Sequence, residues 1–202
     1  MNTQKQANPD HPINELIAQR WSPYTFADRP VPTGDLRSVF EAARWAASSY
    51  NEQPWSYIVA VKDDRKAFQA MTSCLVEGNQ EWASSAPVLA IGCTSLRFTR
   101  NGQPNAAAGH DLGLASASLT FEATARGLFV HQMIGILPNK ARELYSIPEN
   151  VQPLTGFAIG YAADPGKLPE KFQERDLASR VRKPLSQFVF GGEWGTPSLI
   201  MK

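Results

Sequence analysis

Apolar residues recur at helical spacing in several segments of this chain, and each such segment predicts a helix with one buried face. The longest pattern, 111–125, is lined by small residues, so this helix is expected to be buried or to pack closely against another helix. Gly127 follows it as a candidate C-cap. The stretch around Gly78 and Asn79 is expected to be loose. The other predicted helices begin near Ile13, at the candidate N-cap Thr33, after Asp63 and Asp64, and at Lys140.

Short continuous apolar runs between these helices predict buried strands. Three such runs are 55–61 (WSYIVAV), 87–91 (PVLAI) and 154–161 (LTGFAIGY), and the run 128–136 is expected to be an apolar turn or a short strand. The strands are well separated and mixed with helices. This order favours an α+β fold in one domain.

The two ends of the chain differ from the middle. Residues 1–12 are polar and are expected to form a flexible N-terminal arm, which leaves 13–202 as a single domain. The tail, 187–202, carries several aromatic residues, which are uncommon in a chain end that is surrounded by solvent. So much apolar surface is expected to pack on its own domain or on a partner chain.

The composition excludes several classes of protein. Of 202 residues, 43% are hydrophobic and 19% are charged, which argues against a disordered or fibrous chain. The net charge of +1 indicates no broad nucleic-acid surface. No apolar run approaches the roughly 18 residues that cross a membrane, and the N-terminus has no apolar secretion core, so no membrane partner is expected.

Residues that usually perform catalysis or bind metals are scarce. The signatures of a P-loop, a nucleophile elbow, a zinc-binding helix and a dinucleotide loop are all missing from the sequence. Cys74 and Cys93 fit no metal-ligand spacing and are expected to be reduced structural thiols in a cytoplasmic protein. His110 is expected to be a capping or surface residue, and His131 a buried, hydrogen-bonded imidazole. So few acid–base groups indicate either a binding protein or an enzyme whose cofactor performs the chemistry.

Three segments stand out: 20–26 (RWSPYTF), 48–55 (SSYNEQPW) and 180–185 (RVRKPL). Separately, each has an ordinary interpretation as a surface pair, a turn or a solvated basic face. In this order they resemble the nitroreductase family of FMN-dependent NAD(P)H oxidoreductases. The resemblance extends over residues 13–190, and the end of the long helix, ATARGL, is similar to that family's central helix.

The resemblance implies FMN bound at the interface of a homodimer, with residues from both chains. Arg20 and Ser22 would hold the phosphate, and Trp21 would contribute its backbone. Arg180 and Arg182 would reach the same phosphate or the ribityl chain. Guanidinium groups and hydroxyl donors suit a phosphate whose charge is near −2.

The remaining implied contacts concern the sugar chain and the ring. Ser48, Ser49 and Asn51 would line the ribityl chain and the flavin edge, commonly from the second subunit. The resemblance implies no catalytic side chain, since the flavin itself transfers hydride. The loop beside flavin N5, where a backbone N–H usually makes the contact, would consist of His131, Gln132 and Met133.

Tyr24 departs from the family's pattern, which often has a second basic residue at this position. A cation there would stabilise the negative charge of reduced flavin around N1 and O2. A tyrosine offers one neutral hydrogen bond, worth about 1 kcal/mol against about 1.5–3 for a charged one. This weakens the case for potent nitro reduction and leaves the phosphate anchors intact. Arg44 and Arg126 are candidate replacement cations.

The resemblance implies an enzyme that passes hydride from NAD(P)H through FMN to a small acceptor by a ping-pong mechanism. Nitroaromatics, quinones and activated alkenes are all candidate acceptors. Two alternatives stay open: a flavin-binding sensor or cofactor-handling protein with little turnover, which the tyrosine favours, and a flavin oxidase for a larger peptide or ring. The implied fold is a mostly antiparallel central sheet flanked by helices, with the C-terminal tail packing on the partner subunit.

Overall fold

Four strands form one antiparallel sheet at the centre of the molecule. A computed structural model describes residues 5–201, apart from the side chain of Lys167. The strand order is β1-β2-β4-β3, so β1 and β3 are the two edges. The α+β prediction is confirmed. The strands are β1 (Trp55–Val61), β2 (Val88–Ser95), β3 (Phe129–Met133) and β4 (Val151–Gly160).

Helices cover both faces of this sheet. In the described part of the chain they are α1 (Glu15–Gln19), α2 (Thr33–Arg44), α3 (Arg65–Ser73), α4 (Glu77–Ala83), α5 (Ala108–Ala125), α6 (Pro138–Tyr145) and α7 (Glu170–Leu177). Residues of α2 and α5, such as Val39 and Leu119, pack with Phe157 in one buried cluster. Residues of α3, α4, α6 and α7 form a second cluster, which includes Trp82 and Phe172.

Helices α4 and α7 were both missed by the sequence pattern, and α4 shows why. It covers the stretch around Gly78 and Asn79 that was expected to be loose. The Asn79 side chain fixes it, because Nδ2 donates to the carbonyl of Gly135 at 2.9 Å and Oδ1 accepts from Trp82 Nε1 at 3.2 Å. A short helix held by polar contacts to a distant segment has little periodicity to detect.

Helix starts follow the capping residues only in part. Asp64 caps α3 as expected, since its Oδ1 accepts from the Ala67 N–H at 3.0 Å. The N-cap predicted at Thr33 is wrong: Thr33 is the first residue of α2, and Pro32 precedes it without a side-chain cap bond. Proline fixes the φ angle at which the chain enters the helix but has no side-chain acceptor for a cap bond.

The N-terminal arm is tied to the domain within the described residues. Lys5 is 5% exposed, and the Ala7 N–H donates to the Ala18 carbonyl at 2.9 Å. The looseness expected for this arm therefore does not extend to Lys5 and Ala7. Residues 1–4 of the arm lie outside the described residues.

The C-terminal tail exposes its apolar side chains in the single chain. Trp194 is 94% exposed and Phe188 is 58% exposed. An isolated bridge between Phe190 and Pro197 folds the tail back on itself. The tail therefore presents an uncovered apolar surface, and a covering partner stays a prediction.

Residues 5–201 contain neither a membrane-spanning helix nor a candidate metal cluster. No helix in that range is both long enough and apolar enough to cross a bilayer, and no cluster of His, Cys, Asp or Glu there could hold a metal ion. Cys74 and Cys93 are buried free thiols. Burial raises the pKa of both, that of Cys93 to about 11, so neither is an activated nucleophile.

Candidate cofactor site

Two of the three segments singled out in the sequence meet near the edge strand β3. Arg20 follows α1 directly, and its Nη1 donates to Ser22 Oγ at 3.2 Å. Burial and the charges of Arg180 and Arg182 lower the pKa of Arg20, and burial and Arg182 lower that of Arg180. The three guanidinium groups therefore lie within electrostatic range of one another. We call Arg20, Arg180 and Arg182 the arginine cluster.

No acidic side chain balances the arginine cluster among residues 5–201. None of its three members forms a salt bridge there. Arg180 Nε is buried and has no hydrogen-bond partner. Arg20 and Arg180 are partly buried and Arg182 is exposed. Cations without a counter-ion, beside an orphaned N–H donor, are the arrangement that a phosphate satisfies. The phosphate of FMN therefore fits this cluster.

The loop that carries Arg20 is held from two directions. Asp176 of α7, which is 2% exposed, accepts from the backbone N–H groups of Tyr24 at 2.9 Å and Thr25 at 3.0 Å. His131 Nδ1 lies 2.9 Å from the Pro23 carbonyl, and because a carbonyl only accepts, Nδ1 carries the proton. Burial lowers the pKa of His131, so its ring is neutral near pH 7.

Trp21 directs its side chain away from solvent. Its ring is 9% exposed and lies edge-on to Phe129 of β3, with centroids 5.6 Å apart. A role through the backbone, as the resemblance implies, is compatible with this burial.

Tyr24 lies in an aromatic cluster rather than in open solvent. Its ring centroid lies 5.0 Å from that of Trp82, 4.6 Å from His131 and 5.3 Å from Phe172. Its hydroxyl accepts from Arg175 Nη1 at 3.3 Å. A cation therefore contacts the tyrosine that replaces the family's basic residue.

The two candidate replacement cations are engaged elsewhere. Arg44 pairs with Glu41 on α2 at 2.6 Å. Arg126, at the end of α5, pairs with Asp35 at 2.9 Å and with Glu122 at 2.7 Å. Both guanidinium groups are therefore paired with carboxylates, whereas the cation that contacts Tyr24 is Arg175.

The loop that the resemblance implies beside flavin N5 is a strand in the structure, which was one of the two expectations for the apolar run 128–136. His131, Gln132 and Met133 form the second half of strand β3, because their backbone pairs with β4 from Ala158 to Gly156. Gln132 Nε2 donates to Thr120 Oγ1 at 3.0 Å, and Met133 is buried. The chain turns only after this strand.

The turn after β3 is tightly packed. The Gly135 carbonyl accepts from the Val76 N–H at 3.0 Å and from Asn79 Nδ2. A Cβ at Gly135 would collide with the Asn79 amide, so only glycine fits this turn. Ile134 beside it is 74% exposed.

The remaining segment, 48–55, has an unusual backbone over residues 48–53. Tyr50, Asn51 and Gln53 have φ values of 54°, 55° and 51°, in the left-handed region that residues other than glycine rarely adopt. Ser48 Oγ accepts from the Gln53 N–H at 3.0 Å, which closes the turn. Such local strain is concentrated at functional sites.

Asp111 anchors this segment to α5. It is 1% exposed, and its Oδ2 accepts from the Ser49 N–H at 3.0 Å. Its Oδ1 lies 3.0 Å from Nδ1 of His110, a largely exposed ring as predicted. The Asn51 side chain remains exposed and available to a ligand or partner.

One chain does not bring all three segments together. The arginine cluster belongs to the side of edge strand β3, through the contact of Pro23 with His131. Segment 48–53 leads into β1, the opposite edge. No hydrogen bond found among residues 5–201 links Ser48, Ser49 or Asn51 to the arginine cluster.

The sequence of this chain matches a known family. The model described as Nitroreductase family covers residues 17–161. The chain belongs to the nitroreductase family. The resemblance expected from the three segments is thus confirmed.

Other nitroreductase-related proteins match over most of the chain. FMN reductase (NAD(P)H) of Bacillus subtilis is 28% identical over 183 residues, which cover 80% of this chain and 72% of the relative. A solved structure described as an oxidoreductase containing FMN is 33% identical, with a TM-score of 0.86 and coverage of 96% of this chain and 98% of that chain. A nitroreductase family protein from Clostridium difficile, 23% identical with a TM-score of 0.68 and coverage of 88% and 96%, shares the fold.

Three residues beside the arginine cluster and its loop were missed in the sequence. Asp176 and Arg175 lie within a charged stretch that is typical of a solvated surface, and Lys5 lies in a polar arm. Asp176 is nevertheless buried, and Lys5 donates to two backbone carbonyls. Only the tertiary contacts distinguish them from ordinary surface charges.

Proposed function

We propose that this nitroreductase-family chain is an FMN-dependent NAD(P)H oxidoreductase whose arginine cluster binds the FMN phosphate. The observation that carries the proposal is the cluster itself, three cations without an acidic partner among residues 5–201 and with a buried, unpartnered Arg180 Nε. The FMN reductase among its relatives and the similar FMN-containing structure support it. Two buried free cysteines suit a cytoplasmic location.

The chain's own groups would bind and orient the cofactor. When bound, FMN supplies the redox chemistry, taking hydride from NAD(P)H and reducing a small nitroaromatic, quinone or activated alkene in alternate half-reactions. Ser22 adds a hydroxyl to the phosphate site, and Asp176 and His131 keep its loop in place. His131 uses its proton on the Pro23 carbonyl, so it is not proposed as an acid.

Strand β3 offers backbone donors to the flavin ring. As an edge strand, it has alternate N–H groups that face away from β4. We propose that one N–H of His131, Gln132 or Met133 provides the contact beside flavin N5. The resemblance implies that a loop makes this contact, and we assign it instead to strand β3. A strand paired with β4 holds the N–H donor more rigidly than a loop would.

A flavin-binding sensor with little turnover is the second candidate, because Tyr24 stands where a cation would stabilise reduced flavin. Arg175 reaches the Tyr24 hydroxyl and offsets part of this loss. Turnover is therefore expected. Steady-state oxidation of NADH or NADPH with a quinone acceptor separates the two candidates.

The cofactor and donor can be identified from one purified sample. The protein is expected to be yellow, to release FMN on heating, and to lose its visible absorbance under anaerobic NADH or NADPH. The reason is that the arginine cluster suits a terminal phosphate, which FMN has and FAD lacks. Release of FAD, or no flavin after reconstitution, would contradict the proposal.

We further propose a homodimer whose two sites each use both chains. Arg20 and Asn51 belong to opposite edges of the sheet, and the apolar tail around Phe188 and Trp194 is uncovered in one chain. An obligate interface of this kind commonly exceeds about 2,000 Å² in total. Asn51 of one chain would then face the phosphate site of the other.

Hybrid dimers test the shared site. Coexpressed Arg20→Met and Asn51→Gly chains with different tags are expected to form a hybrid with one intact FMN site per dimer, although each parent homodimer binds FMN weakly. Glycine is chosen because it removes the amide without straining the left-handed backbone at Asn51. Flavin titration of the doubly purified hybrid measures this recovery. A hybrid as weak as its parents would place both residues in the site of one chain.

A further inference from the structure

Lys5 connects the N-terminal segment to the end of α7. Its Nζ donates to the carbonyls of Arg175 at 2.8 Å and Ala178 at 2.6 Å, the last groups of that helix and its cap. A lysine in this place satisfies carbonyls that the helix leaves open and meets the negative end of its dipole. Because the side chain is only 5% exposed, this attachment is part of the packed domain.

The backbone of the same residue orients Arg180. The Lys5 carbonyl accepts from Arg180 Nη1 at 3.1 Å, and the Ala18 carbonyl accepts from the same Nη1 at 2.6 Å. Ala18 is in turn bound by the Ala7 N–H. Both hydrogens of Nη1 are thus used by the N-terminal segment and α1, and the unpartnered Nε is left buried beside them.

The Lys5 ammonium also belongs to the electrostatic surroundings of the site. Burial and the charge of Arg180 lower its pKa, and Asp176 opposes them. Its Nζ stands 5.1 Å from the ring centroid of Trp21, the residue after Arg20. Lys5 therefore contacts Arg180 through its carbonyl and faces Trp21, the residue next to Arg20.

We propose that Lys5 is a positioning residue for the phosphate site: it fixes the end of α7 and the guanidinium of Arg180 so that Arg180 Nε is presented to the FMN phosphate. This inference rests on the proposed binding of FMN. If Lys5 has this role, the N-terminal segment contributes to FMN binding. Its effect is expected on the phosphate alone, because the contacts of Lys5 are all with the arginine side of the site.

Riboflavin provides the discriminating probe, since it has the same ring and ribityl chain as FMN but no phosphate. Apoprotein of the wild type and of Lys5→Met is titrated with each flavin by fluorescence quenching. The Kd for FMN is expected to rise about tenfold or more, equivalent to about 1.4 kcal/mol, with the Kd for riboflavin changed by less than about twofold. Lys183→Met is the matched control, an exposed lysine beside the cluster, and should leave both Kd values within about fivefold.

Each result decides the inference. An unchanged FMN Kd in Lys5→Met, or an equal loss for both flavins, would overturn it, since the second pattern is that of general loosening. If Lys5→Met fails to fold, Lys5→Gln keeps one donor for the helix carbonyls and must still weaken FMN more than riboflavin. Equal affinity of the wild type for the two flavins would instead remove the proposed phosphate site, and this inference with it.

Discussion

Replacing Arg20 by alanine is expected to weaken FMN binding about 10- to 150-fold, because a charged hydrogen bond to phosphate is worth about 1.5–3 kcal/mol. The loss should be largely confined to binding. The side-chain hydrogen bond found for Arg20 among residues 5–201 joins only Ser22, so the melting temperature of the apoprotein should change little. Titration of the apo-variant with FMN, together with a thermal melt, measures both quantities.

Lys183→Ala is the control for Arg20→Ala. Lys183 is exposed and lies next to the arginine cluster, and an exposed charge contributes less than about 1 kcal/mol. Its affinity for FMN should therefore stay within about fivefold of the wild type. Equal affinities of the two variants would refute the assignment of Arg20 to the phosphate.

Asp176→Ala is expected to lower the free energy of unfolding by about 3 kcal/mol, because the backbone N–H groups of Tyr24 and Thr25 lose their acceptors and each such loss costs about 1–3 kcal/mol. For a chain of this size the melting temperature should fall by about 6–12 °C. FMN binding should weaken as well, since the loop that carries Arg20 is released. Denaturant unfolding of the apoprotein gives the free energy directly.

Two control variants show whether the loss in Asp176→Ala comes from the two hydrogen bonds. Asp176→Asn keeps one acceptor oxygen and should show a smaller loss than alanine. Asp10→Ala removes an exposed carboxylate and should stay within about 0.5 kcal/mol of the wild type. If Asp176→Ala unfolds at the wild-type midpoint, the two hydrogen bonds do not hold the loop.

The sheet and the main helices could be predicted from the chain because their patterns are local. The apolar runs in β1, β2 and β4 and the periodic face of α2 come from neighbouring residues alone. Helix α4 could not be predicted, since its fixing contacts reach Gly135, far along the chain. The loop at His131–Met133 was implied by the resemblance alone, whereas the local apolar run at 128–136 allowed the short strand that the structure shows.

Residues of the candidate site could be predicted only where they belong to a short sequence motif. Arg20, Ser22 and Arg180 stand in recognisable segments, but their approach to one another is a tertiary fact. The burial of Asp176 and Lys5 could not be predicted from neighbouring residues. In the sequence, a charged residue that is buried with backbone partners looks the same as one on a solvated surface. The positive φ of Tyr50 was equally hidden, since tyrosine does not favour that conformation.

The left-handed turn at 48–53 does not stand alone on its edge of the molecule. Glu52 Oε1 accepts from both the N–H and the hydroxyl of Thr99 at 2.6 Å, and the Arg100 guanidinium lies 4.0 Å from the Tyr50 ring centroid. The turn at 48–53 and the segment that carries Thr99 and Arg100 are thereby held together by side-chain contacts. A movement of the turn that carries Asn51 would therefore require Thr99 and Arg100 to move with it, so the backbone strain at Tyr50 and Asn51 is held from outside the turn as well as from within it.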